Sequence, residues 1–160
     1  MRWLAYRVAG VVLAIGLILA VTPTADAASR GRWVDVNLST QTATAYAGNT
    51  PVHTVLVTTG TRAHPTPTGR FTILRRVANE TMDSSTIGIP RNAPGGYYVT
   101  NVYYTQYFTN GGAALHANWW SPAAAFGSYG TSHGCVGMHT GDAAWFWNFA
   151  TVGTPVIIHY

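Results

Sequence analysis

The sequence contains no lysine, and all nine of its basic residues are arginines. Charge of either sign is scarce, at 9% of residues, and Arg75-Arg76 is the only basic doublet in the body of the chain. Without a basic stripe or run, the electrostatic footprint of a nucleic-acid-binding protein is missing. The formal net charge is +4; setting residues 1–28 aside removes two arginines and one aspartate and leaves about +3. A mild positive balance is compatible with an anionic polymer as partner but does not specify one. A single cysteine, Cys135, rules out an internal disulfide framework. His53, His64, His139 and His159 show no metal-ligand pairing and read as surface or strand histidines; no metal or organic cofactor is expected. No internal repeat, low-complexity tract or linker divides the chain. No apolar run reaches the roughly 20 residues needed to span a bilayer; Val8 to Val21 supplies 14.

That run is still informative. Arg2 and Arg7 precede it, Thr22-Pro23-Thr24 breaks it, and Ala25-Asp26-Ala27 offers a small-x-small cleavage site. Residues 1–28 therefore read as a secretory signal peptide, with an uncleaved membrane anchor as the alternative. The protein is expected to be exported, to the cell wall or the extracellular space, touching a membrane only through an uncleaved leader. Residues 29–160 are the right size for one domain with its own core.

The domain reads as mainly β. Trp33 to Leu38 alternates with period two, Ser39-Thr40-Gln41 turns, and Thr42 to Tyr46 completes a hairpin. Val52 to Thr59 reads as a central strand and Arg70 to Val77 as another, joined by a loop carrying Pro65 and Pro67. Residues 79–110 are the least regular part, punctuated by Gly and Pro and crowded with aromatic rings; they read either as an aromatic-rich strand pair packed on the core or as a lid over a site. Gly111 to His116 ends as a short strand, followed by a second loop over 118–130. Thr140 reads as the N-cap of one helix, with Asp142 in its first turn and Gly153-Thr154-Pro155 after it. Trp145 and Phe149 share a face of that helix.

Chemistry concentrates at Thr131-Ser132-His133-Gly134-Cys135. A lone thiol in an exported chain is unusual, and its neighbours here are small and polar. A thiol needs a base to become a nucleophile, and His116 and His133 are both candidates. Gly134 allows a carbonyl substrate to approach the backbone, where successive N–H groups can hold an oxyanion. Spacing alone also admits a sortase- or papain-like enzyme, although no Asn or Asp signals a third catalytic member.

Taken together, several motifs resemble the L,D-transpeptidase catalytic domain, whose members cross-link peptidoglycan through a cysteine. The family pattern is a histidine, a spacer of about 14 to 17 residues, then Ser/Thr-His-Gly-Cys; here His116 and Ser132 bracket 15 residues. The hairpin Val34 to Gln41, the segment Pro65-Thr66-Pro67-Thr68-Gly69-Arg70-Phe71, and the tail from Asp142 to Val156 are similar as well. The resemblance covers nearly all of residues 33–160. It implies a β-sandwich of mixed sheets with one supporting helix and a lid-like loop region. Cys135 would be the nucleophile and His116 the general base, oriented by the carbonyl of Ala117. His133 and Gly134, with Cys135, would supply the oxyanion N–H groups, Ser132 would line the pocket, and Tyr107, Phe108 and Trp119 would form the groove wall. Peptidoglycan stem peptides would be donor and acceptor, with 3–3 cross-links formed and D-Ala released, and carbapenem β-lactams would be covalent inhibitors. An L,D-carboxypeptidase, or a non-catalytic wall-binding module of the same fold, is the alternative. One position departs from the pattern: where the family usually places Asn or Arg after Cys-Val, this chain has Gly137.

Overall fold

The computed structural model describes residues 31–160; the leader expected over 1–28 lies outside the described residues. The first hairpin pairs β1 (Arg32–Asn37) with β2 (Thr42–Ala47), antiparallel, from Arg32 opposite Ala47 to Asn37 opposite Thr42. Its alternation has a direct cause: Val34, Val36, Ala43 and Ala45 all point into the core. Buried valine faces buried alanine across the pair, which lets the strands pack closely against what lies beneath. The turn is tied down by the buried amide of Gln41, which donates to Leu38 O at 2.8 Å and accepts from Thr59 N at 3.0 Å.

β3 (Thr50–Thr58) pairs with β2 and then, through Val57 and Thr58, with β8 (Val136–Met138). It therefore links two halves of one continuous strand order, β4-β9-β1-β2-β3-β8-β7-β6-β5. β4 (Gly69–Thr72) and β5 (Arg75–Asp83) occupy opposite ends of that order yet are joined by only Ile73 and Leu74. A two-residue link cannot span a flat nine-stranded sheet, so the sheet curls until its edges meet. Ile73 N donates to Thr154 O and Leu74 N to Tyr107 O, one bond to each half. The single strand expected over Arg70 to Val77 is thus two strands, broken where the chain passes between the halves.

Of the two readings of the aromatic-rich region, the strand pair holds for most of it and the lid for the part between the strands. β5 pairs with β6 (Tyr98–Tyr107) as a long antiparallel hairpin with a bulge near Thr81. Irregular chain is confined to residues 84–97, which include a short 3-10 turn at Ser84–Ile87. Tyrosine favours strands, and here that preference prevails over the flanking Gly and Pro signals. β6 continues antiparallel onto β7 (Ala114–Ala117), and β7 runs parallel to β8. β9 (Pro155–His159) lies parallel to β1 and antiparallel to β4.

The one α-helix among the described residues, α1 (Thr140–Phe149), packs on β6, β7 and β8. Thr140 is its first residue, while His139 holds the cap position without a side-chain bond. Ala143 and Phe146 are its buried face, and the Trp145 and Phe149 rings stack with centroids 5.1 Å apart. The core beneath it joins both halves of the sheet through Val36, Val57, Leu115, Met138, Phe146 and Ile158.

Candidate active site

The site sits where β7 meets β8. Parallel neighbours need a crossover of a dozen or more residues. The stretch between Ala117 and Val136 is that crossover, which explains why His116 and Cys135 are so far apart in sequence. The register sets Leu115 opposite Val136 and His116 opposite Gly137. Cys135, one residue before β8, is brought to the strand that carries His116.

Local bonds shape the turn that presents the thiol. Ser132 Oγ donates to Cys135 O at 2.7 Å and accepts from Gly134 N at 3.1 Å, closing a tight loop. Gly134 has φ +112, which an L side chain rarely adopts. From behind, the Gly60 to Gly69 loop braces this turn: Thr61 N donates to Ser132 O, and Ser132 N to Thr59 O, each at 3.0 Å. Cys135 is a free thiol, with Sγ 3.7 Å from Gly112 O. Burial pushes its pKa up to about 11, opposed by the backbone N–H of Ala114 and reinforced weakly by the charge of Glu80. At neutral pH it rests as a protonated thiol.

His116 is 2% exposed. Its Nδ1 lies 2.9 Å from Ala117 O, an acceptor, so Nδ1 carries the proton and Nε2 keeps its lone pair. Trp120 stacks on the imidazole, ring planes 8° apart and centroids at 5.5 Å. Burial lowers the His116 pKa, and the bond to Ala117 partly offsets this. Burial thus disfavours the charged ring, and the bond to Ala117 O fixes its orientation. His133, the other candidate, is used differently. Its ring packs between His64, at 4.4 Å, and Tyr97, at 5.1 Å, and lies against Gly95 of the 84–97 loop. Burial, with the neighbouring His64, lowers its pKa too.

Two cavities meet at Cys135. One, of about 230 Å³, is lined by His116, Asn118, Trp120, Ser132 and His133, and closed by Gly95, Gly96 and Tyr97. The other, of about 350 Å³, is lined by Arg75, Glu80, Asp83, Tyr107 and Asn110. Met82, Ile87, Gly111 and Gly112 border both. Residues 84–97 thus lie over the thiol from both sides. That loop is anchored by Asp83, which accepts from Ser85 N and Arg91 Nε at 3.0 Å each. Among the described residues no cluster of three His, Cys, Asp or Glu is placed to hold a metal ion.

The YkuD family, the L,D-transpeptidase catalytic domain, matches residues 31–158. The chain belongs to this family. A probable L,D-transpeptidase 3 of Mycobacterium tuberculosis is 37% identical over 62% of this chain and 36% of its own length. L,D-transpeptidase 1 of the same organism is 33% identical over 75% of this chain and 47% of its own. The chain thus spans less than half the length of these curated relatives. Among solved structures, the L,D-transpeptidase LdtMt1 in complex with imipenem superposes with a TM-score of 0.77 at 31% identity, covering 81% of this chain and 59% of that one. L,D-transpeptidase 3 of Mycobacterium tuberculosis with a faropenem-derived adduct gives 0.75 at 29% identity, covering 81% and 60%.

Measured against the family's expectations, the structure brings His116, Ala117, Ser132, His133, Gly134 and Cys135 together. It corrects the groove wall. Phe108 is 2% exposed and belongs to the core, against Phe71, because the chain beyond β6 turns inward there. Trp119 is 57% exposed and borders neither cavity; Trp120 takes the place at the site. Tyr107 does line a cavity, with its hydroxyl donating to Glu80 at 2.9 Å. Asn118, Trp120, Met82 and Glu80 went unnamed as site residues. Only Asn118 and Trp120 left a sequence signal, their places two and four residues after His116.

Proposed function

We propose that this domain is a peptidoglycan L,D-transpeptidase acting through a thioester on Cys135. The observation that carries this is His116, held through Nδ1 by Ala117 O on the strand beside Cys135 and lining the same cavity as the thiol. The pair starts as thiol and imidazole, so proton transfer accompanies attack rather than preceding it. Cys135 Sγ attacks the carbonyl that joins the L-centre of the third stem residue to a terminal D-Ala, while His116 Nε2 takes the thiol proton. Collapse breaks the C–N bond, and His116 returns that proton to the departing amine of D-Ala. An amine from a second stem then attacks the thioester, gives a proton to His116, and forms a 3–3 link. The thiol leaves and regains its proton from His116. Water in place of the amine yields a free carboxylate, the L,D-carboxypeptidase outcome.

The oxyanion formed in each step is assigned to the N–H groups of His133 and Cys135. Gly134 N–H is already engaged by Ser132 Oγ and serves to hold the turn. Export places the reaction at the cell wall. The relatives bound to imipenem or carrying a faropenem-derived adduct support β-lactams as acylating inhibitors here.

Intact-protein mass after exposure to a carbapenem tests the nucleophile. One adduct is expected on the unmodified protein and none on Cys135→Ala, and acylation of His116→Ala should slow by about 10²–10⁴-fold. Purified disaccharide-tetrapeptide then reports the acceptor, as cross-linked dimer or as tripeptide. A Cys135→Ala protein with full turnover would sink the proposal, and wall binding without turnover would establish the non-catalytic module instead.

A further inference from the structure

Gly137 leaves a space beside the catalytic pair, and a side chain from the neighbouring strand fills it. Residues two apart along a strand share a face. His116 pairs with Gly137, so Cys135, Gly137, His116 and Asn118 all belong to one face of the β7–β8 pair. A Cβ built on Gly137 would lie 2.6 Å from Asn118 Nδ2, 2.7 Å from its Cβ and 3.1 Å from its Cγ. The carboxamide of Asn118 thus takes the place that a side chain at 137 would occupy.

The amide is held from both ends. Asn118 N donates to Met138 O at 2.8 Å, and Oδ1 accepts from Ser121 N at 3.1 Å. Oδ1 is therefore fixed away from the reaction, and Nδ2 has no hydrogen-bond partner among the described residues. Asn118 is 2% exposed and lines the cavity of His116 and Cys135. Nδ2 is not one of the sealed polar atoms without a partner; it is open to that cavity, where an acceptor on a bound molecule can reach it.

We propose that Asn118 is a specificity-determining residue whose Nδ2 donates a hydrogen bond to a backbone carbonyl oxygen of the acyl-donor stem peptide. This rests on the transpeptidase reading and deepens it. The same carboxamide cannot coexist with a side chain at 137, so the two positions share one function.

The test compares Asn118→Ala, Asn118→Asp and Asn118→Ala/Gly137→Asn with the unmodified protein. KM and kcat are measured for disaccharide-tetrapeptide, and the rate of Cys135 alkylation by iodoacetamide is followed alongside. Loss of one neutral hydrogen bond predicts a rise in KM of about 3–10-fold in the Ala variant. Asn118→Asp keeps the shape but replaces the donor with an acceptor, so its KM should rise at least as far. Alkylation should stay within about twofold, since the thiol and His116 are untouched. The double variant returns an amide to the same space from β8 and should recover KM. An unchanged KM in either single variant overturns the assignment, as does a fall in alkylation matching the loss of turnover, which would mark a structural role. If the double variant does not fold, Asn118→Asp decides alone. A parent protein that leaves the tetrapeptide untouched fails at an earlier step and overturns the transpeptidase reading itself.

Discussion

At the scale of residues, burial disfavours the charged forms of both titratable groups in the proposed pair. Burial raises the Cys135 pKa to about 11 and lowers that of His116 below its ordinary 6.5. A thiol of this kind alkylates faster with rising pH well beyond 9, so the iodoacetamide profile of Cys135 should level off near 11. A plateau near 8 would instead indicate a preformed thiolate–imidazolium pair. The acid limb of carbapenem acylation should fall below pH 6.5, because the neutral imidazole persists into more acid solution. The same shifts act on stability. The unfolded chain protonates His116 more readily, so stability falls as pH drops below about 6.5. The folded chain holds the Cys135 proton more tightly, so stability also falls as pH rises from about 9 towards 11. Thermal unfolding of Cys135→Ala across that upper range should lack the cysteine contribution to this loss.

At the scale of elements, the 84–97 loop lines both cavities beside the thiol. Gly96 is the position where it has least freedom. A Cβ there would meet Pro90 O at 2.3 Å and Arg91 O at 2.4 Å, both backbone atoms that cannot swing aside. Gly96→Ala should therefore displace the loop. Faster alkylation of Cys135 and a raised KM for tetrapeptide are expected, with little change in the far-UV spectrum. Unchanged kinetics would mean that the loop does not gate the site. The boundaries of this element were poorly legible in sequence. The tyrosines of β6 and the Gly-Pro clusters before them send opposite signals, and only pairing with β5 decides that residues 98–107 are strand. The first hairpin, by contrast, reads correctly because one face is buried and the other is not.

At the scale of the whole molecule, the curled sheet closes on a core whose described residues run from Val34 to Ile158. Removing residues 1–28 should leave the thermal midpoint of the domain unchanged. N-terminal sequencing of exported protein should begin close to Ser29; membrane-retained protein of full mass would establish the anchor instead. No helix among the described residues is long and apolar enough to cross a membrane.

The class of fold and the family are legible in the linear chain. The sole cysteine, its Ser-His-Gly lead, His116 at its spacing, and the alternating hairpin are local patterns. They follow from residue type and short separation, which a linear reading preserves. Tertiary structure alone decided which partners meet. Phe108 went inward and Trp119 outward because the direction of an aromatic ring depends on the packing around it. His133, in the turn before β8, packs against the lid, while His116, on β7, sets its Nδ1 on the carbonyl of Ala117. Gly137 shows the difference most clearly. In sequence it reads as a missing polar side chain; in the folded sheet the space is filled by Asn118, 19 residues earlier, because β7 and β8 lie side by side.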